Sequence, residues 1–374
     1  MGASTRELES RLLEASEEEG RMAILLELAR AHGAAFRNRE GLRAAKEALT
    51  IARKRGDKLA IGRALSTATL CHYQRGDYVA AVATGLDAVS VCAYDDLVSR
   101  SRALQSIALA LFSVEAFGPA ESAARRAVDD ARAGKDPERE ALASNVLGYI
   151  ICDRGHFNEA RRLFRFSARY FRLAGDGVRL KKSISYLAHA YRRQGNALER
   201  DGHLGQARIE WGRAVSVYKI ALESGEHAAD DAFIVGEMAE CECRLGKHQP
   251  AYAHLASAIE LAQSVNNTQV LAHCYLWEGH VMQAMGNLEM AQRAFDRAVK
   301  AAGPLEHDPV LSMALRALAA VVSRRGDADS AALMEAGATA AEDARRDFFS
   351  RVRTELRDVL PEKAGIRGLA KLDA

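Results

Sequence analysis

The sequence is poor in residues that interrupt helices and lacks segments that would carry the chain into a membrane. It contains 6 prolines in 374 residues, and no apolar run reaches the length that spans a bilayer. The first residues, MGASTRELES, are polar and charged, unlike a secretory signal peptide. These absences predict a cytoplasmic protein built from long, uninterrupted helices.

Motifs that commonly carry catalysis or hold a metal are also missing. There is no GxSxG elbow, no phosphate-binding Walker loop and no HExxH pair. The 6 cysteines are dispersed, and the nearest two, Cys241 and Cys243, lack the two-residue gap of zinc and redox motifs. We therefore expect reduced thiols, no metal, no cofactor and no enzymatic activity.

Charge of either sign is not in excess. Lys and Arg number 52 against 50 Asp and Glu, so the formal net charge is +2. Such a balance neither requires nor excludes nucleic acid, and a preference for an anionic partner would have to come from local patches. Ala, Leu, Arg and Glu are abundant instead, and these residues favour helices.

A short pattern of small and large residues recurs along the chain. After Gly286 it places Leu288, Ala291, Phe295 and Ala298 two, five, nine and twelve residues downstream. The same pattern starts at Gly76, Gly155, Gly202, Gly246 and Gly326, and with Glu in place of Gly at Glu40 and Glu115. These eight starts are spaced by about 40 residues, which is typical of a stacked-repeat protein.

Each feature of the pattern has a physical reason. Glycine can adopt the left-handed conformation that ends a helix, so every start marks a turn between two helices. The downstream positions lie on one helix face, where alanines allow close approach and the larger residue fills the remaining space. A second set of turn residues between the starts predicts two helices per repeat.

One repeat carries an insertion, GNALERDG, from Gly195 to Gly202. Its pattern predicts that the first helix ends near Gly195, whereas the second helix starts from Gly202. The difference of seven residues is close to two helical turns, so we expect a longer hairpin or a local bend. A tolerated insertion without a function fits the sequence equally well.

Two segments, LGYIICDRGHFNEARRLF (147–164) and EGHVMQAMGNLEMAQRAF (278–295), resemble the tetratricopeptide repeat family. The period near 40 residues is similar to long variants in bacterial signalling proteins and kinesin light chain. The resemblance implies an all-α, right-handed superhelical solenoid of about eight two-helix repeats. It places an N-terminal capping helix at 1–20, the repeats at 21–340, and a C-terminal capping helix and tail at 341–374.

The resemblance also implies that the first helix of each repeat lines a concave groove that binds a peptide or a protein. At Asn145 an amide would pair with the backbone of a bound peptide. Arg30 also falls at an equivalent position of the groove. The basic residues Arg63, Arg102, Lys182 and Arg192 would favour an acidic peptide or a phosphorylated ligand. The expected groove residues are Arg63, Tyr73, Arg102, Gln105, Asn145, Tyr149, Lys182, His189, Arg192 and His280.

A basic stripe lies on a different predicted helix. Arg161, Arg165, Arg169 and Arg172 fall on one helix face. Because like charges in a row repel, an acidic partner or nucleic acid would relieve the repulsion. The other interpretation is an ordinary solvated face.

Three functions stay open from the sequence. The first is a non-enzymatic regulatory or scaffold protein that holds a protein or peptide in its groove and has no membrane partner. The second rests on GLAKLDA, residues 368–374, which resembles the start of a diguanylate cyclase domain and predicts the sensory region of a bacterial signalling enzyme, cut before its catalytic domain. The third is a nucleic-acid-binding regulator that uses the basic stripe. The oligomeric state is left open.

Overall fold

The computed structural model describes residues 5–35, 37–92, 96–225, 228–305 and 308–363. Within these ranges the chain forms seventeen helices and no strand. None of these helices is long and apolar enough to cross a membrane. The helices are α1 Thr5–Glu14, α2 Glu18–Ala34, α3 Asn38–Arg55, α4 Lys58–Gln74, α5 Tyr78–Cys92, α6 Leu97–Ser113, α7 Phe117–Ala133, α8 Pro137–Asp153, α9 Phe157–Leu173, α10 Gly177–Arg200, α11 Leu204–Leu222, α12 Ala228–Arg244, α13 His248–Ser264, α14 Thr268–Ala284, α15 Leu288–Ala302, α16 Val310–Arg324 and α17 Ala328–Lys363.

The prediction of an all-α protein made of two-helix repeats is confirmed. The even-numbered helices from α2 to α16 are the first helices of the repeats, and the odd-numbered helices from α3 to α17 are the second. Within the units, first helices pack against the second helices that follow them, as α4 does with α5 and α14 with α15. Neighbouring first helices also contact one another, as in α2–α4–α6–α8 and α10–α12–α14–α16. We call these two sets of first helices the first-helix layers.

The predicted turns between helices adopt the left-handed conformation that the pattern requires. Gly286 has φ 81° between α14 and α15. Of the two starts that lack glycine, Glu115 takes φ 62° between α6 and α7, so this turn keeps its geometry despite the side chain, whereas Glu40 lies inside α3. The backbone therefore follows the repeat even where the residue departs from it.

The residues at the recurring spacing after each turn pack between the two helices of the repeat and form its core. Ala291, Phe295 and Ala298 are completely buried on α15. A β-carbon at Gly279, on the facing α14, would lie only 2.3 Å from the Phe295 ring. The glycine and the aromatic residue are thus complementary, since the missing side chain on one helix makes room for the ring of the other.

Two predicted boundaries are wrong. The start at Glu40 lies inside α3, which begins at Asn38, one turn earlier than the pattern indicated. The first helix of the inserted repeat does not end near Gly195, because α10 continues to Arg200 and is 24 residues long. A β-carbon at Gly195 would lie 2.5 Å from the Trp211 ring, so this glycine permits close packing and makes no turn. The chain therefore forms the longer helical hairpin, made by α10 and α11, that was one of the predicted alternatives.

The chain divides into two compact units. Unit 1 comprises Met1–Arg154 together with Phe349–Ala374, and unit 2 comprises Gly155–Phe348. Helix α17 contributes to both, and in unit 1 Arg353 Nη1 donates a hydrogen bond to the Val114 carbonyl at 2.8 Å. The division into a cap, repeats and a C-terminal segment stays a prediction, and α17 runs across its boundary at residue 340.

Candidate functional site

A pocket of about 520 Å³ opens on the first-helix layer of unit 1. It lies between α2, α4 and α6, and each of these helices contributes one arginine: Arg30, Arg63 and Arg102. The repeat brings these side chains together, because neighbouring first helices lie side by side. We call this cavity the arginine pocket.

The acidic residues that line the arginine pocket already have partners. Asp57 and Asp96 cap α4 and α6, accepting hydrogen bonds from the Ala60 and Ser99 amides at 2.9 and 3.0 Å. The second oxygen of Asp96 lies 3.5 Å from Arg63 Nε. The other two acids are paired with arginines that do not line the pocket: Glu19 with Arg55 at 2.8 Å and Glu27 with Arg11 at 4.0 Å.

Two arginines of the pocket have no such partner. Within the described part of the chain, the side chains of Arg30 and Arg102 make no hydrogen bond or ion pair. Burial, together with the charges of Arg139 and Arg30, lowers the pKa of Arg102 to about 10, and these effects outweigh the opposing charges of Asp96 and Asp136. Arg102 is still protonated at neutral pH, and a nearby anion would stabilise that charge. This end of the pocket is therefore suited to a carboxylate or a phosphate.

Arg139 extends the cationic region to a fourth first helix, α8, and was not among the predicted residues. Its Nη1 donates a hydrogen bond to Gln105 Oε1 on α6 at 3.1 Å. The first residue of α8 at a groove position of the repeat is Leu142, and Arg139 lies three residues, about one helical turn, before it. Extending the pattern by one turn towards the N-terminus would have found it.

The other predicted groove residues of unit 1 do not line the arginine pocket. Tyr149 packs edge-on against the Phe112 ring, with the ring centroids 5.6 Å apart. Asn145 is buried and Tyr73 is half-buried. The predicted role of Asn145 in holding a peptide backbone stays a prediction.

In unit 2 the predicted groove residues enter a buried ionic network. Arg192 donates to Glu237 at 2.5 Å and to Glu240 at 2.6 Å, and His189 Nδ1 lies 2.9 Å from Glu237. Tyr218 donates its hydroxyl to the second oxygen of Glu237 at 2.8 Å. Burial alone would raise the pKa of Glu237, but Arg192 and His189 outweigh it and hold that pKa at about 2. These side chains therefore satisfy one another.

The remaining two predicted residues of unit 2 stay accessible. Lys182 lies with its ammonium 6.0 Å from the centre of the Tyr186 ring. His280 is exposed, and its ring meets the edge of Phe295 at a centroid distance of 5.2 Å. Desolvation of the imidazole, which packs against Phe295, lowers the pKa of His280 below its usual value and favours the neutral ring.

The basic stripe on α9 is not uniform. Arg161 is buried, where it donates to Asn158 and Gln194 and lies 3.6 Å from Glu210. Its side chain therefore faces the neighbouring helices α10 and α11, which carry Gln194 and Glu210. The next member, Arg165, is exposed and donates to the Tyr191 hydroxyl at 2.8 Å.

The last two arginines of the stripe, Arg169 and Arg172, are exposed, as is Arg162 beside them. None of these three side chains makes a hydrogen bond or ion pair with a described residue. The solvent-facing set on α9 is therefore Arg162, Arg165, Arg169 and Arg172 rather than the predicted one.

Other predicted features concern metals and the C-terminus. Among the residues with described positions, no group of His, Cys, Asp and Glu could hold a metal ion. Burial raises the pKa of Cys71 to about 11 and that of Cys274 to about 12, which makes both thiols unreactive. The segment GLAKLDA, 368–374, lies outside the described residues.

Comparison with known proteins points to helical-repeat families. The family model of anaphase-promoting complex subunit 5 matches residues 10–77 and 231–285. A photosystem I assembly protein, Ycf3, from Synechococcus elongatus is 32% identical over 108 residues, which are 28% of this chain. The aligned segment covers 61% of that relative.

Solved structures with the same fold cover nearly the whole chain. The apo form of the quorum sensor NprR from B. thuringiensis has a TM-score of 0.61, with 13% identity over 90% of this chain and 92% of its own. A Rap regulator of conjugation genes from plasmid pLS20, in complex with the Phr* peptide, has a TM-score of 0.55. Its identity is 13%, over 97% of each chain. These likenesses establish the fold.

Proposed function

We propose that this helical-repeat chain, whose repeats resemble the tetratricopeptide family, is a non-enzymatic regulatory or scaffold protein that binds a peptide or protein segment. The ligand lies along the first-helix layer of unit 1 and places an acidic group in the arginine pocket. The observation that carries the proposal is the pair Arg30 and Arg102, whose side chains line this pocket without a partner among the described residues.

The chemistry of the pocket supports an acidic ligand. Arg102 is half-buried and Arg30 is exposed beside it. A half-buried guanidinium without an ion pair is unfavourable, and a carboxylate or phosphate that approaches it replaces lost water with a charge-assisted hydrogen bond. The pKa of Arg102 is lowered chiefly because burial removes water from its guanidinium. The Rap regulator of the same fold is solved with a peptide, which agrees with a peptide as the class of ligand.

A charge-reversed variant tests this proposal. The probe is a fluorescein-labelled decapeptide of alternating Glu and Gly, and its binding is followed by fluorescence anisotropy at about 0.15 M salt. The double variant Arg30→Glu with Arg102→Glu should weaken binding at least about tenfold, or about 1.4 kcal/mol. Neither arginine makes a structural ion pair with a described residue, so the variant should keep the helical circular dichroism of the parent protein.

A matched control separates the pocket from general electrostatics. Arg39 and Arg53 are exposed on α3, outside the pocket, and neither side chain is bonded within the described part of unit 1. Reversing both gives the same net charge, and binding should change less than about twofold because salt screens distant charges. No binding to the parent protein, or equal losses in the two variants, would show that the arginine pocket does not hold an acidic peptide.

Nucleic acid is the second candidate, and the exposed arginines of α9 favour it. Arg162, Arg169 and Arg172 are accessible cations on one helix. A labelled single strand of about 20 nucleotides should then bind with a steep salt dependence, and Arg169→Glu with Arg172→Glu should abolish that binding. The outcome is independent of the arginine pocket, because these side chains lie in unit 2.

A further inference from the structure

A second, smaller pocket opens on the first-helix layer of unit 2. It has a volume of about 260 Å³ and lies between α12, α14 and α16. Its apolar part consists of Leu276, Trp277 and Met313. Leu276 and Trp277 are buried, whereas Met313 keeps 49% of its surface exposed. The pocket therefore presents an apolar floor to solvent, and a flexible thioether that can adapt to a ligand stands at its edge.

The indole that forms this floor is held in place. A β-carbon at Gly236 on α12 would lie 2.4 Å from Cζ3 of Trp277, so the glycine lets α12 approach the ring closely. The ring also packs against His273 and Phe233, with centroid distances of 5.6 and 6.5 Å. A ligand would meet a surface that is already formed, which lowers the entropy lost on binding.

The polar edge of the pocket carries no unbalanced charge. Glu240 accepts hydrogen bonds from Arg192 at 2.6 Å and from Arg244 at 3.1 Å, so its charge is neutralised. The lowered pKa of His280 favours the neutral form of that ring. A charged ligand group would lose its water here without gaining a counter-ion, whereas an uncharged apolar group would lose nothing.

Two hydrogen-bonding groups at the pocket are unused. The indole N–H of Trp277 and the ring nitrogens of His280 have no hydrogen-bond partner in the part of the chain that the structure describes. A peptide backbone that leaves water needs a donor for its carbonyl and an acceptor for its amide. The neutral His280 ring can serve either role, and Trp277 can donate.

We propose that this pocket binds one uncharged side chain, of leucine to phenylalanine size, presented by an extended peptide segment. Leu276, Trp277 and Met313 receive the side chain, and Trp277 and His280 pair with the backbone on either side of it. The site has a chemistry opposite to that of the arginine pocket, and its existence does not depend on the proposed acidic ligand.

Fluorine NMR of the intact protein tests the proposal, since the chain has 2 tryptophans. Trp211 is fully buried and Trp277 lines the pocket, so 5-fluorotryptophan gives one reporter at the site and one internal reference. The Trp277→Phe variant assigns the two signals. The probes are the capped heptapeptides GSGFGSG, GSGAGSG and GSGDGSG. The phenylalanine peptide should shift the Trp277 signal saturably, at least about fivefold more tightly than the other two.

Two methionine variants provide the structural control. Met313→Glu places a charge at the pocket and should weaken the phenylalanine peptide at least about fivefold. Met285 is 40% exposed on the same unit but does not line the pocket, so Met285→Glu should change binding less than about twofold. Equal shifts from the phenylalanine and aspartate peptides, no saturable shift, or equal effects of the two variants would overturn the proposal.

Discussion

The first-helix layers of the two units both carry arginines, but the arginines have different surroundings. In unit 1 the acids of the arginine pocket pair with helix-cap amides, with Arg63 or with arginines outside the pocket, so Arg30 and Arg102 make no ion pair with a described residue. In unit 2 Glu237 and Glu240 lie one turn apart on α12, and both face Arg192 of α10. The repeat determines the position of an arginine on its first helix. Whether that arginine can bind a ligand depends on whether acids of the next repeat already pair with it.

The inserted residues of unit 2 contribute to this difference. The extra turns of α10 carry Asn196 and Glu199, which contact Glu240 and Arg244 of α12. Asn196 also accepts a hydrogen bond from the Trp211 indole at 2.8 Å. A helix of ordinary length would end before these residues, so the insertion enlarges the network that neutralises Glu240. We infer that the insertion is structural, because it stabilises the first-helix layer of unit 2.

The largest expected effect is the loss of Glu237. Its replacement in Glu237→Gln leaves Arg192 and His189 buried without their shared charge, so the free energy of unfolding should fall by about 3–5 kcal/mol. Urea denaturation followed by circular dichroism measures the change. The control is Glu289→Gln, which removes an exposed ion pair with Arg293 and should cost less than about 0.5 kcal/mol. Similar losses of unfolding free energy in both variants would show that the buried network of unit 2 contributes no more to stability than an exposed ion pair does.

The same residue predicts how stability depends on pH. Its pKa is about 2 in the folded protein and 4.5 for an unperturbed glutamate, so its contribution is fully present above about pH 5. The contribution should disappear as the pH falls from about 5 to about 2, because protonation then no longer distinguishes the variant from the parent. The difference in unfolding free energy between parent protein and Glu237→Gln, measured across this range, should shrink steadily. A difference that does not change with pH would contradict the ionic role of Glu237.

A smaller effect should come from the packing that supports the extra turns of α10. In Gly195→Ala the new methyl group would meet the Trp211 ring, and the free energy of unfolding should fall by about 1–3 kcal/mol. A β-carbon at Gly212, on the neighbouring α11, would meet no atom within 4 Å, so Gly212→Ala should be neutral or stabilising by up to about 1 kcal/mol. Thermal denaturation of the two variants makes the comparison. A stabilising Gly195→Ala would exclude close packing as the reason for this glycine.

Much of the fold follows from the sequence because its determinants are local. Ala291, Phe295 and Ala298 report a helix face directly, and the glycine starts report the turns between helices. Gly195 was misinterpreted because a glycine that ends a helix and one that admits a ring from another helix look alike in sequence. Only the position of Trp211 in space distinguishes them.

The candidate site is less accessible to sequence reasoning, since its properties depend on pairs of residues from different repeats. The pattern placed Arg63 and Arg192 on first helices, yet their partners lie on or at the cap of the next first helix. Asp96 is 33 residues from Arg63, and Glu237 and Glu240 are 45 and 48 residues from Arg192. Trp277 is buried, but part of its ring also lines a pocket. Whether a side chain is free or neutralised is thus a property of the packed layer.

The smallest effect should come from introducing into unit 1 the kind of acid that unit 2 contains. Gln105→Glu would place a carboxylate beside Arg139 where an amide oxygen now lies 3.1 Å from Nη1, so the acidic decapeptide should bind about three- to fivefold more weakly. Gln292 accepts a hydrogen bond from Arg325 in unit 2, and Gln292→Glu makes the same change outside the pocket. That control should leave anisotropy titrations unchanged within about twofold, because salt screens distant charges. If Gln105→Glu also left binding unchanged, the charge of Arg139 on α8 would not contribute to peptide binding, and the cationic region would not extend beyond the arginine pocket.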